Sequence, residues 1–273
     1  MSRVNIEGGR ITGIDVLETL AGSRFVNRSR TTGVYTAVSD LRHELRWVAG
    51  ERGKPGVNGD ILSTDVALPP IADKDFEISG NGGTSVLCTH NVGGGIRLTT
   101  AGSDGNEMIL VPHLDANQSG WDDMTGDTSA EVHWETMIRT KNDLVTNTII
   151  WAGLKLTNAE AVATDNDQVY FRYEDDVNSG RWEFVYSIAG VDVTIDCGVL
   201  GEPVVAADAN YHLRIVIDEA RVARGYINGV LRATTAALTA SIDLKPYIGV
   251  ADDGSTRAAF INIYGQSISR LVG

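Results

Sequence analysis

From about Asp75 onward, apolar residues recur in short runs, many alternating with polar ones, and Gly, Asn, Asp and Ser break the runs. A period of two places successive side chains on opposite faces of a strand. The pattern predicts strands at Phe76–Ser79, Ser85–Thr89, Gly95–Thr99, Glu107–Pro112, Val132–Arg139, Thr148–Leu156 and Gln168–Tyr173. It predicts more at Arg181–Ser187, Val191–Asp196, Tyr211–Ile217, Val222–Ile227, Val230–Thr234, Pro246–Val250 and Ala258–Ser269. Turn chemistry separates them, including Asn178-Ser179-Gly180, Ala189-Gly190 and Asp253-Gly254. Asn228-Gly229, set between Tyr226-Ile227 and Val230-Leu231, is the strongest hairpin signal. So many strands with almost no helical period predict an all-β chain, folded over residues 75–273 as an antiparallel two-sheet β-sandwich of jelly-roll type. Gly93-Gly94-Gly95 reads as a turn or bulge before Ile96, since no Lys-Ser/Thr or helix follows to make a phosphate loop.

Residues 1–74 have a different texture. Val4, Ile6, Ile11, Ile14, Val16, Leu17, Leu20, Phe25 and Val26 are scattered among glycines and polar residues. Such a segment buries little by itself, so an extended arm is expected, ordered against a partner. Within it, Val38, Leu41, Leu45 and Val48 step by three, four and three, the spacing of a coiled-coil seam. With Ser39 as N-cap and Gly50 as stop, one short helix is expected over about 38–49, bundled around a symmetry axis or packed on the body. Glycine then recurs at every third position from Gly50 to Gly59. These Gly-x-y triplets (50–60) read as a flexible linker or as a short collagen-like element, in which only glycine fits the axis of three chains. Pro69-Pro70 continues the linker.

Of 273 residues, 42% are apolar and 22% charged, enough for a sizeable core. Residues 1–56 hold nine Lys/Arg against six Asp/Glu, while the remainder holds 14 against 30, within a net charge of −13. An acidic body argues against nucleic acid, whose binding needs cations to replace phosphate counterions. A mildly basic arm on that body suggests a docking segment. Nothing approaches the apolar run that spans a membrane. The two cysteines, Cys88 and Cys197, stand far apart, so neither a disulfide framework nor a cysteine metal site is expected, and synthesis in a reducing cytoplasm is.

The segment Tyr211-His212-Leu213-Arg214-Ile215-Val216-Ile217-Asp218, followed by Arg224-Gly225-Tyr226-Ile227-Asn228-Gly229-Val230-Leu231, resembles the concanavalin A-like, or laminin-G-like, jelly-roll superfamily over roughly residues 130–270. In that pattern Leu213, Ile215 and Ile217 point inward, and Phe260–Tyr264 closes a sheet beside Tyr247–Val250. Ile150–Leu156, Asp165–Tyr173 and Asp243–Val250 are similar to structural proteins of tailed bacteriophages. That resemblance implies a virion location, on the capsid surface after synthesis in the bacterial host cytoplasm. It implies a capsid cement or decoration protein that binds the major capsid protein through its arm. The arm contacts would be Arg3, Ile6, Arg10, Ile11, Arg24, Phe25, Arg28 and Arg30. A homotrimer would use Leu41, Leu45, Val48, Gly53 and Gly56. The alternative is a head- or tail-fibre carbohydrate-binding module that recognises host glycan.

Candidate chemistry is sparse. Glu131, His133 and Glu135 share one strand face, and the spacing is similar to the Glu-x-Asp-x-Glu strand of some jelly-roll glycanases. Here the middle residue is histidine, and a solvated polar face explains the same residues. The histidines show no ligand spacing, so no metal ligand and no catalytic residue is assigned, and the chain is read as non-enzymatic. Asp165-Asn166-Asp167 and Glu174-Asp175-Asp176 flank a strand and offer oxygens that suit Ca²⁺, but match no EF-hand loop. Trp134 and Trp151 lie in alternating apolar runs and read as core. Trp182, beside Arg181, reads as the surface candidate for sugar stacking, with Asp165 and Asp167 as partners.

Overall fold

A computed structural model describes residues 95–103, 105–110, 131–141, 146–156, 165–240, 242, 244–254 and 258–269 in full, with the backbone of the further strands named below. The strands are β1 (Asn5–Glu7), β2 (Arg10–Thr12), β3 (Phe25–Arg28), β4 (Tyr35–Val38), β5 (Arg42–Val48), β6 (Leu62–Ser63) and β7 (Phe76–Ser79). They continue as β8 (Cys88–His90), β9 (Ile96–Thr99), β10 (Glu107–Pro112), β11 (Val132–Arg139), β12 (Thr148–Lys155), β13 (Gln168–Glu174) and β14 (Glu183–Ile188). The last are β15 (Val191–Asp196), β16 (Asn210–Ile217), β17 (Val222–Ile227), β18 (Val230–Ala237), β19 (Lys245–Asp252) and β20 (Phe260–Leu271). Among the described residues no helix is long and apolar enough to cross a membrane.

Two compact units divide the chain, one of residues 1–43 with 271–273 and one of residues 44–270. The larger is a two-sheet sandwich. Its first sheet runs β15-β14-β13-β12-β19-β10-β7-β6, and its second runs β18-β17-β16-β11-β20-β9-β8, with β5 also on β20. The chain lays β12 to β15 as an antiparallel meander, then β16 to β18 as a second meander in the other sheet. It returns through β19, beside β12, and β20, beside β11.

The alternation in the sequence becomes the core. Trp134 and Ile138 of β11 and Leu213, Ile215 and Ile217 of β16 meet Ile150, Ala152 and Leu154 of β12 and Val169 and Phe171 of β13. Burying each such side chain contributes about 1.5–3 kcal/mol. At one end Trp182 packs against Phe171, Tyr173 and Tyr211 with ring centroids 5.5 to 6.5 Å apart. The Asn228-Gly229 turn has both residues at positive φ, 51° and 80°, and joins Ile227 to its partner Val230. Asn228 also accepts from the His212 backbone N–H at 2.9 Å, tying the hairpin to β16. Strand β15 stands at the edge of the first sheet with both faces open, Val191 being 65% exposed and Val193 40%.

Several expectations change. The helix over 38–49 is absent: Tyr35–Val38 and Arg42–Val48 are strands. Leu45 and Trp47 also alternate with Glu44 and Arg46. A twelve-residue helix is marginal by itself, whereas β20 offers a strand to pair with. This removes the coiled-coil seam through Leu45 and Val48. Leu41, Gly53, Gly56 and the triplets lie outside the described residues. Nor is the arm extended throughout. Ile6 pairs with Ile11 in β1–β2, and Phe25 with Val38 in β3–β4. Only Gly8 and Gly9 separate the paired Glu7 and Arg10, a sequence suited to a two-residue hairpin. Arg3, Arg24 and Arg30 lie outside the described residues; Arg10 falls in β2 and Arg28 in β3. The sandwich begins near residue 44 and not at 75, because β5 and β6 pair into its sheets. Phe260–Tyr264 closes the second sheet beside β9 and β11, while Tyr247–Val250 lies in the first.

The two sheets approach closely at Gly225 of β17. A Cβ there would stand 2.8 Å from Phe184 Cε2 and 3.0 Å from Phe171 Cζ, both rings fully buried. Gly225→Ala should therefore cost about 1–3 kcal/mol in urea unfolding through overpacking. An unchanged midpoint would show that the rings yield freely.

Candidate functional site

The outward face of the first sheet, away from the core, is not an ordinary solvated surface. Register places Ile109, Gly249, Trp151, Arg172, Glu183 and Asp196 in one row across β10, β19, β12, β13, β14 and β15. The next row on that face runs Tyr247, Gly153, Tyr170, Val185 and Thr194, and the next Lys245, Lys155, Gln168, Ser187 and Asp192. Two glycines make room for the aromatic side chains. A Cβ on Gly249 would stand 2.9 Å from Trp151 Cε3, and one on Gly153 2.5 Å from Tyr170 Cα. Ile109, Tyr170, Val185 and Tyr247 form a second apolar cluster with Trp151 packed on it. The Tyr170 and Tyr247 rings lie 6.2 Å apart.

Polar groups on this face are paired. Arg172 donates from Nε and Nη2 to Glu183 Oε2 at 2.9 and 2.6 Å. Lys155 Nζ lies 3.6 Å from Asp165 Oδ2, both side chains almost fully buried, and 5.4 Å from the Tyr247 ring centre. Gln168 Nε2 donates to Ser187 Oγ at 3.2 Å, and Ser187 donates to Asp192. Two atoms are exceptions: the Tyr247 hydroxyl and Gln168 Oε1 are buried without a partner. Burial pushes the Tyr247 phenol well above its ordinary range, and the Tyr170 phenol up as well, so both stay protonated as donors. Trp151 and Arg172 remain partly exposed.

At one end of these strands lies a small cleft with room for about one water molecule, lined by Asp167, Gln168, Ser187, Arg221 and Thr239 with an aliphatic wall that includes Ile217 and Leu238. Asp167 accepts from the Thr239 hydroxyl and from the Ala189 N–H.

The sequence candidates are dispersed. Trp182 is fully buried and not a surface platform. It falls in phase with Phe184 and Tyr186, which point inward, so parity overrides the neighbouring Arg181. Trp151, expected in the core, points the other way and belongs to the outward face. Asp165 is spent in the ion pair with Lys155, and Asp167 alone of the three reaches the cleft. Neither Tyr247 nor Gln168 was singled out from sequence; the signal was the two residues' shared phase with Trp151 once register is known.

Glu131, His133 and Glu135 sit together on the outward face of the second sheet, where Glu135 is exposed and the other two half-buried. His133 Nε2 lies 2.5 Å from Glu131 Oε1, and His212 Nε2 3.3 Å from Glu135 Oε2. Among the described residues one trio could share a cation: the carboxylates of Glu174, Asp176 and Asp253 lie within 4.8 Å of one another. Burial pushes the Glu174 carboxyl up, opposed by Arg172 and assisted by Asp253 and Asp176. Cys197 is buried, with its thiol pushed up to about 12 by burial, and so is unreactive.

No protein-family model matches the sequence, and no curated protein matches it. Among solved structures, a protein of unknown function, SO2946 from Shewanella oneidensis MR-1, is similar over 96% of this chain and 97% of its own, at 9% identity and TM-score 0.53. Alginate lyase A1-II′, a member of polysaccharide lyase family 7, is similar over 70% of this chain and 86% of its own, at 18% identity and TM-score 0.47. The potassium-bound carbohydrate recognition domain of Emp46p is similar over 76% and 94%, at 11% identity and TM-score 0.49. What is shared at such identities is the fold alone, an antiparallel two-sheet β-sandwich.

A raised carboxyl contributes stability that is full below its unfolded value and lost as pH rises through the folded one. Glu174→Gln removes that loss. The variant should exceed the parent in melting temperature at pH 7 by a degree or two, in line with roughly 0.5 kcal/mol for a solvent-screened group. The gap should close below the ordinary glutamate value of 4.5. Melting curves across pH check this; a gap that persists in acid would sink it.

Proposed function

We propose that the protein is a carbohydrate-binding module that recognises a glycan on the outward face of its first sheet and does not cleave it. The observation that carries this reading is Trp151, a partly exposed indole paired across strands with the partly exposed Arg172, on a face turned away from the core. Buried beside them are Tyr170, Lys155 and Tyr247, whose hydroxyl has no partner. Leaving a hydroxyl unpaired costs about 1–3 kcal/mol, which an apolar replacement would avoid. Aromatic rings beside a few fixed polar groups suit a sugar, which has an apolar ring face and hydroxyls at its edge. Trp151 is the partly exposed ring for stacking, and Arg172, held by Glu183, fixes the orientation. The paired acids of the second sheet, Glu131 with His133 and Glu135 with His212, fit a solvated surface.

The capsid-cement role and the trimer depend on residues 1–74, whose side chains lie outside the described residues. Host-glycan recognition on a virion is the setting in which the present reading and the phage resemblance agree.

A glycan array probed with the full chain tests the proposal, and retention of no glycan would end it. On any glycan retained, Trp151→Ala should weaken binding about tenfold or more, some 1.4 kcal/mol. Tyr247→Phe should leave binding unchanged while raising stability by about 1 kcal/mol, because the orphaned hydroxyl is gone. A Tyr247→Phe protein that is less stable would mean that the hydroxyl does have a partner.

A further inference from the structure

We infer that β15 is a docking edge, to which a basic, extended segment of a partner protein adds as a further antiparallel strand of the first sheet. The inference stands apart from the carbohydrate reading.

Strand β15 ends its sheet, so one side of its backbone meets no other strand among those described. The turn before it fixes which groups face that side. Ala189 and Gly190, at φ 51° and 79°, form a two-residue hairpin turn, which makes Ile188 and Val191 a hydrogen-bonded pair. Bonded and non-bonded pairs then alternate along the ladder. Val193 and Ile195 bond back to β14, and Cys197 N–H keeps the phase by donating to the Trp182 carbonyl at 3.2 Å. The backbone N–H and C=O groups of Asp192 and Thr194 therefore point away from the sheet, as the template for an added strand. The end strand of the second sheet, β18, is less open, since Arg232 reaches the Leu200 carbonyl and Glu202.

The side chains state the partner's chemistry. Asp192 and Asp196 lie on one face of β15 with Thr194 between them, and the exposed Val191 and Val193 lie on the other. Val199, Leu200, Val230 and Leu231 are exposed as well, on the turn after β15 and at the start of β18, so bare apolar surface gathers on this margin. A complementary strand alternates basic residues, set against the two aspartates, with apolar ones beside the valines. A second copy of β15 fits poorly. Registers that pair Asp192 with Asp192 or with Asp196 oppose like charges, and each chain carries a net −13.

The experiment titrates a fluorescein-labelled peptide, Gly-Lys-Val-Thr-Val-Lys-Gly blocked at both ends, with the full chain and reads anisotropy. It should bind about tenfold or more tightly than Gly-Lys-Lys-Val-Val-Thr-Gly, which has equal charge and broken spacing. Thr194→Pro removes an outward N–H and leaves the β14 ladder intact, so it should weaken binding about tenfold while the chain still melts cooperatively. Asp192→Lys should prefer Gly-Lys-Val-Thr-Val-Glu-Gly to Gly-Glu-Val-Thr-Val-Lys-Gly, because an antiparallel strand sets its last charge against the substituted lysine. The opposite preference would overturn the antiparallel direction. No binding, equal binding of the two spacings, or affinity untouched by both variants would overturn the docking edge. So would sedimentation of the free chain as a dimer that Thr194→Pro abolishes, since the occupant would then be a second copy.

Discussion

The middle of the first sheet is buried on both of its faces, and much else follows from that constraint. Strands β12 and β13 are covered along nearly their whole length, on the side that meets the second sheet and on the side that does not. A sheet face open to water takes ordinary polar residues. This one carries tryptophan, two tyrosines, two lysines and an arginine, several of them buried, and glycines at 153 and 249 leave room for the large side chains to lie across the strands.

Burial of that kind forces polar groups into partnerships. The Lys155–Asp165 and Arg172–Glu183 pairs answer the desolvation of four charges, and such pairs gain little over an apolar replacement. Their presence suits a face kept polar for a purpose other than stability. The Tyr247 hydroxyl and Gln168 Oε1 belong to the same account from the opposite side, as groups whose cost nothing in the fold offsets.

Much of the sandwich was legible because period-two alternation and turn residues are local signals. Asn228-Gly229 located its hairpin, and Phe76–Ser79, Glu107–Pro112, Val132–Arg139 and Val222–Ile227 form strands with the expected bounds. Partnership and facing were not legible. Alternation shows that Trp151 and Trp182 each have a face but not which face meets the other sheet, and both tryptophans were assigned the wrong one. Phe260–Tyr264 reads equally well beside either sheet, and only the crossing between β19 and β20 decides. The segment near Leu45 satisfies a helical and a strand pattern at once, and long-range pairing with β20 breaks the tie. For the site, Asp167 stood out as an acidic loop residue, whereas Tyr247 looked like any strand tyrosine.

The exposed edge strand β15 bears on how the protein survives in concentrated solution. Its sequence, Val-Asp-Val-Thr-Ile-Asp, places Asp192 and Asp196 along an edge that otherwise offers unpaired backbone and open valines. Such an edge is a template on which another chain can add itself, and like charge is the ordinary guard against that. The net charge of −13 extends the guard over the whole molecule. It lapses as the solution approaches the isoelectric point of 4.7, where copies no longer repel and the bare edge becomes adhesive. The acidity of the chain is thus what keeps its sheets finite.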